Sequence, residues 1–153
     1  MARSIRIAAA LALLAALVVG TGTVAADSGR KVFDAKFVGL AVPGTVIAGV
    51  TGAGHAWAIE SGKAMIFAGN RVKVIAEGLV LTPEGVNPVA NGRVVVSCNG
   101  GGAGNIVQSG LVPLSTPDGD AEFDGTLALP SPCNDPVVFF TSPGGAWFAA
   151  AGG

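Results

Sequence analysis

The stretch ESGKAMIFAGNRVKVIAEGLVL, residues 60–81, carries two runs of strand-forming residues on either side of Gly69-Asn70. Two residues of this type make a tight turn whose backbone twist suits paired strands. The turn predicts a hairpin in which Phe67 faces Val72 and Met65 faces Val74. Those four side chains then share one face, and Arg71 and Lys73 point the other way. A hairpin that is apolar on one face must bury that face against a second layer.

The rest of the chain supplies strands for such a layer. The sequence contains 24 Gly and 9 Pro, and after residue 26 these interrupt the chain about every ten residues, which leaves few helix signals there. Between them lie short runs of Val, Ile and Phe. Over residues 32–41, Phe33, Ala35 and Phe37 alternate with Asp34 and Lys36, the pattern of a half-buried strand. Further strands are expected at 92–98, 106–114, 121–129, Val137–Thr141 and 146–150. In the 121–129 run, Ala121, Phe123, Leu127 and Leu129 face inward, while Glu122, Asp124 and Thr126 face out. The pattern predicts an all-β, antiparallel β-sandwich of immunoglobulin-like general shape, with a closed barrel as the alternative.

The N-terminus predicts a compartment. Arg3 and Arg6 precede an apolar run from Ile7 to Val19, and Val24-Ala25-Ala26 offers small residues to a signal peptidase. This is the anatomy of a secretory signal peptide over residues 1–26, cleaved after Ala26. The run is too short for a comfortable bilayer span of about 20 residues, so stable membrane insertion after cleavage is not expected. The remaining 127 residues, 27–153, form a single β-sandwich domain in this reading. Seven basic residues then stand against ten acidic ones, a net charge of −3. That balance gives no electrostatic basis for binding nucleic acid.

Cys98 and Cys133 are the only cysteines, so an exported chain has one possible pairing. Export favours a disulfide between them. A catalytic thiolate would need His55, the only histidine, as its base.

Most familiar chemistries lack their residues. The SCNGGGAGNIV stretch, residues 97–107, has the glycines of a phosphate loop but not the Lys-Ser/Thr that must follow them. It reads as a mobile connection tethered at Cys98. No G-x-S-x-G stretch supports a serine nucleophile. One histidine cannot build a zinc site alone. No cofactor is expected.

Two candidate sites remain. Asp118, Asp120, Glu122 and Asp124 fall on one face of an extended segment, and carboxylate oxygens are what calcium selects. Ligands two apart on a strand lie roughly 6–7 Å apart, which favours a solvated face over chelation. His55, Trp57 and Trp147 could line a small pocket or interaction loop. Ordinary core packing is the simpler role for the two Trp. A weak echo links Gly54-His55-Ala56-Trp57-Ala58 to Gly145-Ala146-Trp147-Phe148-Ala149, without a fixed period.

The blocks Glu77-Gly-Leu-Val-Leu81, Asn87-Pro-Val89, Val96-Ser-Cys98 and Leu129-Pro-Ser-Pro-Cys133, followed by Pro136-Val-Val-Phe139 and Trp147-Phe148, resemble a group of small exported bacterial proteins. The group comes chiefly from high-GC actinobacteria, and the resemblance covers most of residues 45–151. It implies a β-rich secreted protein and a pairing of Cys98 with Cys133, and it supplies no activity and no catalytic residue. The expected function is an exported, non-catalytic structural or interaction module of the bacterial envelope or extracellular medium. Its partner would be a protein or another envelope component, met through strand edges and the loops around His55 and residues 100–105. A small-ligand or calcium-binding secreted protein is the second expectation, and a secreted hydrolase the third.

Overall fold

The computed structural model describes residues 29–153, and the expected leader over residues 1–26 lies outside the described residues. The chain is all-β. Its strands are β1 (Lys31–Gly39), β2 (Val46–Ile47), β3 (Val50–Thr51), β4 (Trp57–Ala58), β5 (Ser61–Phe67), β6 (Arg71–Glu77) and β7 (Val80–Leu81). There follow β8 (Asn91–Ser97), β9 (Ile106–Gln108), β10 (Val112–Pro113), β11 (Ala121–Thr126), β12 (Val137–Thr141) and β13 (Trp147–Ala151).

Antiparallel pairing runs in the order β10-β8-β12-β13-β1-β5-β6-β11, with β9 also on β8. The corner is β1. Its first part pairs with β5 as far as Lys36 opposite Lys63. Its last three residues pair with β13, from Phe37 opposite Ala151 to Gly39 opposite Ala149. A strand that serves two sheets is a common way to turn such a corner. The two layers thus share β1 and enclose one core. Ala64, Ile66, Val72 and Val74 come from one layer, and Val94, Val96, Val138 and Phe140 from the other. The two end strands, β10 and β11, adjoin without a ladder between them among the described residues, so hydrogen bonding does not close the sandwich into a barrel there.

The hairpin forms, but its register differs from the expected one by a residue. Phe67 lies opposite Arg71, Ile66 opposite Val72 and Ala64 opposite Val74. The loop is therefore Ala68-Gly69-Asn70. Gly69 has φ 83° and Asn70 φ 65°, the left-handed region that Gly and Asn tolerate best. The Asn70 N–H donates to the Phe67 carbonyl at 3.1 Å. A one-residue shift exchanges the two faces of a strand. Met65 and Phe67 thereby turn outward, and Ala64 and Ile66 enter the core. The Arg71 guanidinium lies 5.3 Å from the centre of the Phe67 ring, which gives that outer aromatic a partner.

The layer containing β8, β12 and β13 is covered on both faces, and β12 and β13 are buried at every position. Its second cover is the segment that includes β2 and β3. Trp147 Nε1 donates to the Thr45 carbonyl at 3.0 Å, and the Ala53 N–H donates to the Trp147 carbonyl at 3.0 Å. The Ser97 hydroxyl donates to the Ala48 carbonyl at 2.6 Å. The strand expected over 106–114 is split at Ser109-Gly110 into β9 and β10. There the Ser109 hydroxyl accepts the Val94 N–H at 2.9 Å and donates to the Gly110 carbonyl at 2.7 Å.

Candidate functional site

The two cysteines form a disulfide, with Cα atoms 4.9 Å apart. It ties the residue after β8 to the turn that precedes β12. Around it the glycine-rich segment is fixed rather than slack. Cys98 N–H donates to the Asn105 carbonyl at 2.8 Å, and Asn99 N–H to the Asn134 carbonyl at 2.8 Å. The Asn99 side chain donates to the Pro132 carbonyl at 2.9 Å and accepts the Asn134 N–H at 3.0 Å. Gly101 has φ 91°, and a Cβ there would lie 2.2 Å from the Ala48 carbonyl oxygen. The glycines permit a tight, left-handed loop packed on the β2–β3 turn, which accounts for their number better than mobility does.

Trp57 and Trp147 are core residues. Trp57 stacks on Phe148 with ring centroids 4.0 Å apart, and Trp147 tilts against Phe139 at 5.9 Å. The two echoing segments thus pack against each other. His55 is exposed and makes no hydrogen bond or ion pair among the described residues. The structure does not gather His55, Trp57 and Trp147 around one opening.

Alternation along β11 places Glu122 and Asp124 on the outer face, as expected. Each faces a base on β6. Asp124 receives two hydrogen bonds from Arg71, at 2.7 and 2.6 Å, and Glu122 lies 3.3 Å from Lys73. The Arg71 guanidinium holds the Asp124 carboxyl below the usual carboxylate range, and Asp124 raises Arg71 in return. On β1, Asp34 is held low by Lys31 first and Lys63 second. Asp120 accepts the Gly78 N–H at 2.9 Å. No three His, Cys, Asp or Glu residues are grouped to hold a metal ion among the described residues.

A different opening lies at the end of the sandwich away from the Gly69 turn. It is a cleft of about 410 Å³ lined by Ile59, Val80, Val86 and Pro117, with Glu60 and Asp118 as its charged residues. Gly78 and Gly85 also line it. Its walls are tied together from below by Asn87, which is 2% exposed. The Asn87 amide donates to the Val89 and Ser115 carbonyls at 2.7 and 2.8 Å and accepts the Val89 N–H at 2.9 Å. Asn87 N–H reaches the Pro117 carbonyl at 2.8 Å, and Leu79 N–H reaches the Gly119 carbonyl at 2.9 Å. Gly119 is so close to Leu79 that a Cβ would lie 2.1 Å from the Leu79 oxygen. The lining is therefore set before any ligand arrives. A second cleft of about 380 Å³, between β3 and β9, has no charged lining residue.

Charge is unevenly distributed between the ends. Asp34, Glu122 and Asp124 all have basic partners. Glu60, Glu77, Glu84, Asp118 and Asp120 have no ion pair among the described residues. Chain connectivity and contacts place these five together. Glu60 N–H donates to the Glu77 carbonyl at 3.1 Å, Asp120 binds Gly78, and Glu84 adjoins the cleft residue Gly85. The cleft was not legible in the sequence because its lining comes from four separate segments, none of which carries a motif.

No protein-family model, curated protein or solved structure matches this chain. No helix among the described residues is long and apolar enough to cross a membrane.

Proposed function

We propose that the chain is an exported, non-catalytic interaction module of the bacterial envelope or extracellular medium. One observation carries this reading: its buried polar groups are engaged in holding the scaffold. Both thiols are in the bridge. Asn87, Ser97, Ser109 and Thr141, the buried polar residues among those described, all bond to backbone groups. Reactive side chains at catalytic sites are instead paired with one another, nucleophile to base and base to orienting group; the exposed Ser61 hydroxyl donates to Glu77 at 2.6 Å, but no third side chain orients Glu77 among the described residues. The disulfide supports an oxidising compartment, as the N-terminal reading expects. The resemblance to small exported actinobacterial proteins points the same way.

Expression of the full chain in an actinobacterial host tests this. Protein recovered from the envelope or medium should begin at Asp27 by intact mass and contain no alkylatable thiol. Retention in the cytoplasm with the leader attached would overturn the reading.

A further inference from the structure

We infer that the cleft between Glu60 and Asp118 docks a cationic, partly apolar peptide segment of a partner protein. The inference rests on the reading of the chain as an interaction module and names the chemistry of its partner. The cleft offers Ile59, Val80, Val86 and Pro117, and Val86 remains 43% exposed. An aliphatic side chain entering there would cover apolar surface that the fold leaves in water. The occupant's charge follows from the surroundings. Glu60 and Asp118 line the opening, and Glu77, Glu84 and Asp120 stand at the same end without ion pairs. Lys63, Arg71 and Lys73 of the neighbouring hairpin are engaged by Asp34, Asp124 and Glu122, and Lys36 of β1, which shares a groove with Glu60 and Glu77, offsets only part of the five carboxylates. Unbalanced charge around a cleft with low-dielectric walls focuses the field into it and raises the local concentration of the opposite sign. Lys or Arg beside a Val or Leu therefore fits both features, with the apolar side chain in the cleft and the basic ones toward its carboxylates. The opening is sized for a short segment, and the Asn87 and Gly119 contacts hold its walls in place, so little ordering accompanies binding.

The test is an amide-resolved NMR titration of the disulfide-intact protein with a capped Gly-Lys-Val-Lys-Gly peptide. The expected result is saturable shifts confined to Ile59, Gly78, Val80, Gly85 and Val86. Affinity should fall by about tenfold on raising salt from 0.05 to 0.5 M, as screening shortens. A Glu60→Gln, Asp118→Asn variant should bind about five- to tenfold more weakly, in line with two exposed ion pairs. Both positions are exposed, so its melting temperature should match the parent. Capped Gly-Lys-Ser-Lys-Gly should bind more weakly than the Val peptide, and Gly-Glu-Val-Glu-Gly should not bind. Shifts spread over the whole surface, equal binding by the variant, or no shift at millimolar peptide would each overturn the inference. So would micromolar calcium that moves the same amides and displaces the peptide, since the cleft would then be a cation site. None of these results bears on where the protein is exported or on its bridge, so the wider reading would stand or fall separately.

Discussion

The two layers of the sandwich solve the same burial problem in different ways. The β5–β6–β11 layer buries one face and lets ion pairs cover the other. The β8–β12–β13 layer buries both, because β2 and β3 lie across its back. The first layer accordingly reads as alternation, apolar then charged. The second reads as near-continuous apolar runs such as Val137-Val-Phe-Phe-Thr141. One-sided burial leaves a record of which face is which, and two-sided burial erases it.

The largest expected effect sharpens this contrast. Phe140→Ala empties a fully buried site and should cost about 3–5 kcal/mol by denaturant unfolding. Phe123→Ala, at a half-buried position in the other layer, should cost less than half as much. Equal losses would mean that the layers do not differ as described. Next is the bridge at the edge of the doubly buried layer. Replacing both cysteines by Ala should cost about 2–4 kcal/mol, and either single change should cost nearly the same. Additive single losses would break the assignment of one shared bridge. Third, Asn87→Ala leaves the Val89 N–H and the Ser115 carbonyl without that partner and should cost about 1–3 kcal/mol. A neutral result would show that the cleft walls hold without it.

The singly covered layer should respond to acid. Asp34 and Asp124 are held below their ordinary values in the folded protein. Their contribution is complete above the ordinary carboxylate range and is lost as pH falls through the folded values. Arg71→Gln should therefore melt slightly earlier than the parent at neutral pH and converge with it in acid. A gap that persists in acid would assign the loss to packing on Phe67 instead. The smallest effect is expected from calcium. Because Glu122 and Asp124 face Lys73 and Arg71, 5 mM calcium should leave the melting temperature unchanged, with magnesium as control. A rise of several degrees that persists in the Glu60→Gln, Asp118→Asn variant would restore a cation site on that face.

The fold class was legible because alternation in 32–41 and 121–129 reports single-sided burial directly. The pairing of Cys98 with Cys133 was legible because no other partner exists. The hairpin register was not, because residues 64–68 are all apolar and either face could go inward. Loop geometry decided it, through Gly69 and Asn70 both in the left-handed region. The pairs β2–β3 and β4–β7 escaped notice because strands of two residues carry no period. Only half of the acidic row forms the expected outer face: Glu122 and Asp124 lie on β11 opposite Lys73 and Arg71, partners about 50 residues away and invisible locally, whereas Asp118 sits in the preceding turn at the cleft and Asp120 accepts the Gly78 N–H. The glycines of 100–104 suggested slack because sequence shows conformational freedom and not the Ala48 carbonyl that the freedom accommodates.

The corner strand also orients the molecule. Because β13 runs antiparallel beside β1, the Gly152 backbone lies next to the Phe33 ring, and both strands leave the sandwich toward the Gly69 turn. The Glu60–Asp118 cleft opens at the opposite end, beyond Ser61 and Glu77. A tether attached at either end of the described residues would therefore leave from one pole and hold the cleft outward at the other. Immobilised by a tag at residue 29 or at residue 153, the protein should present the same surface to solution, so a sensor chip made either way would report the same binding.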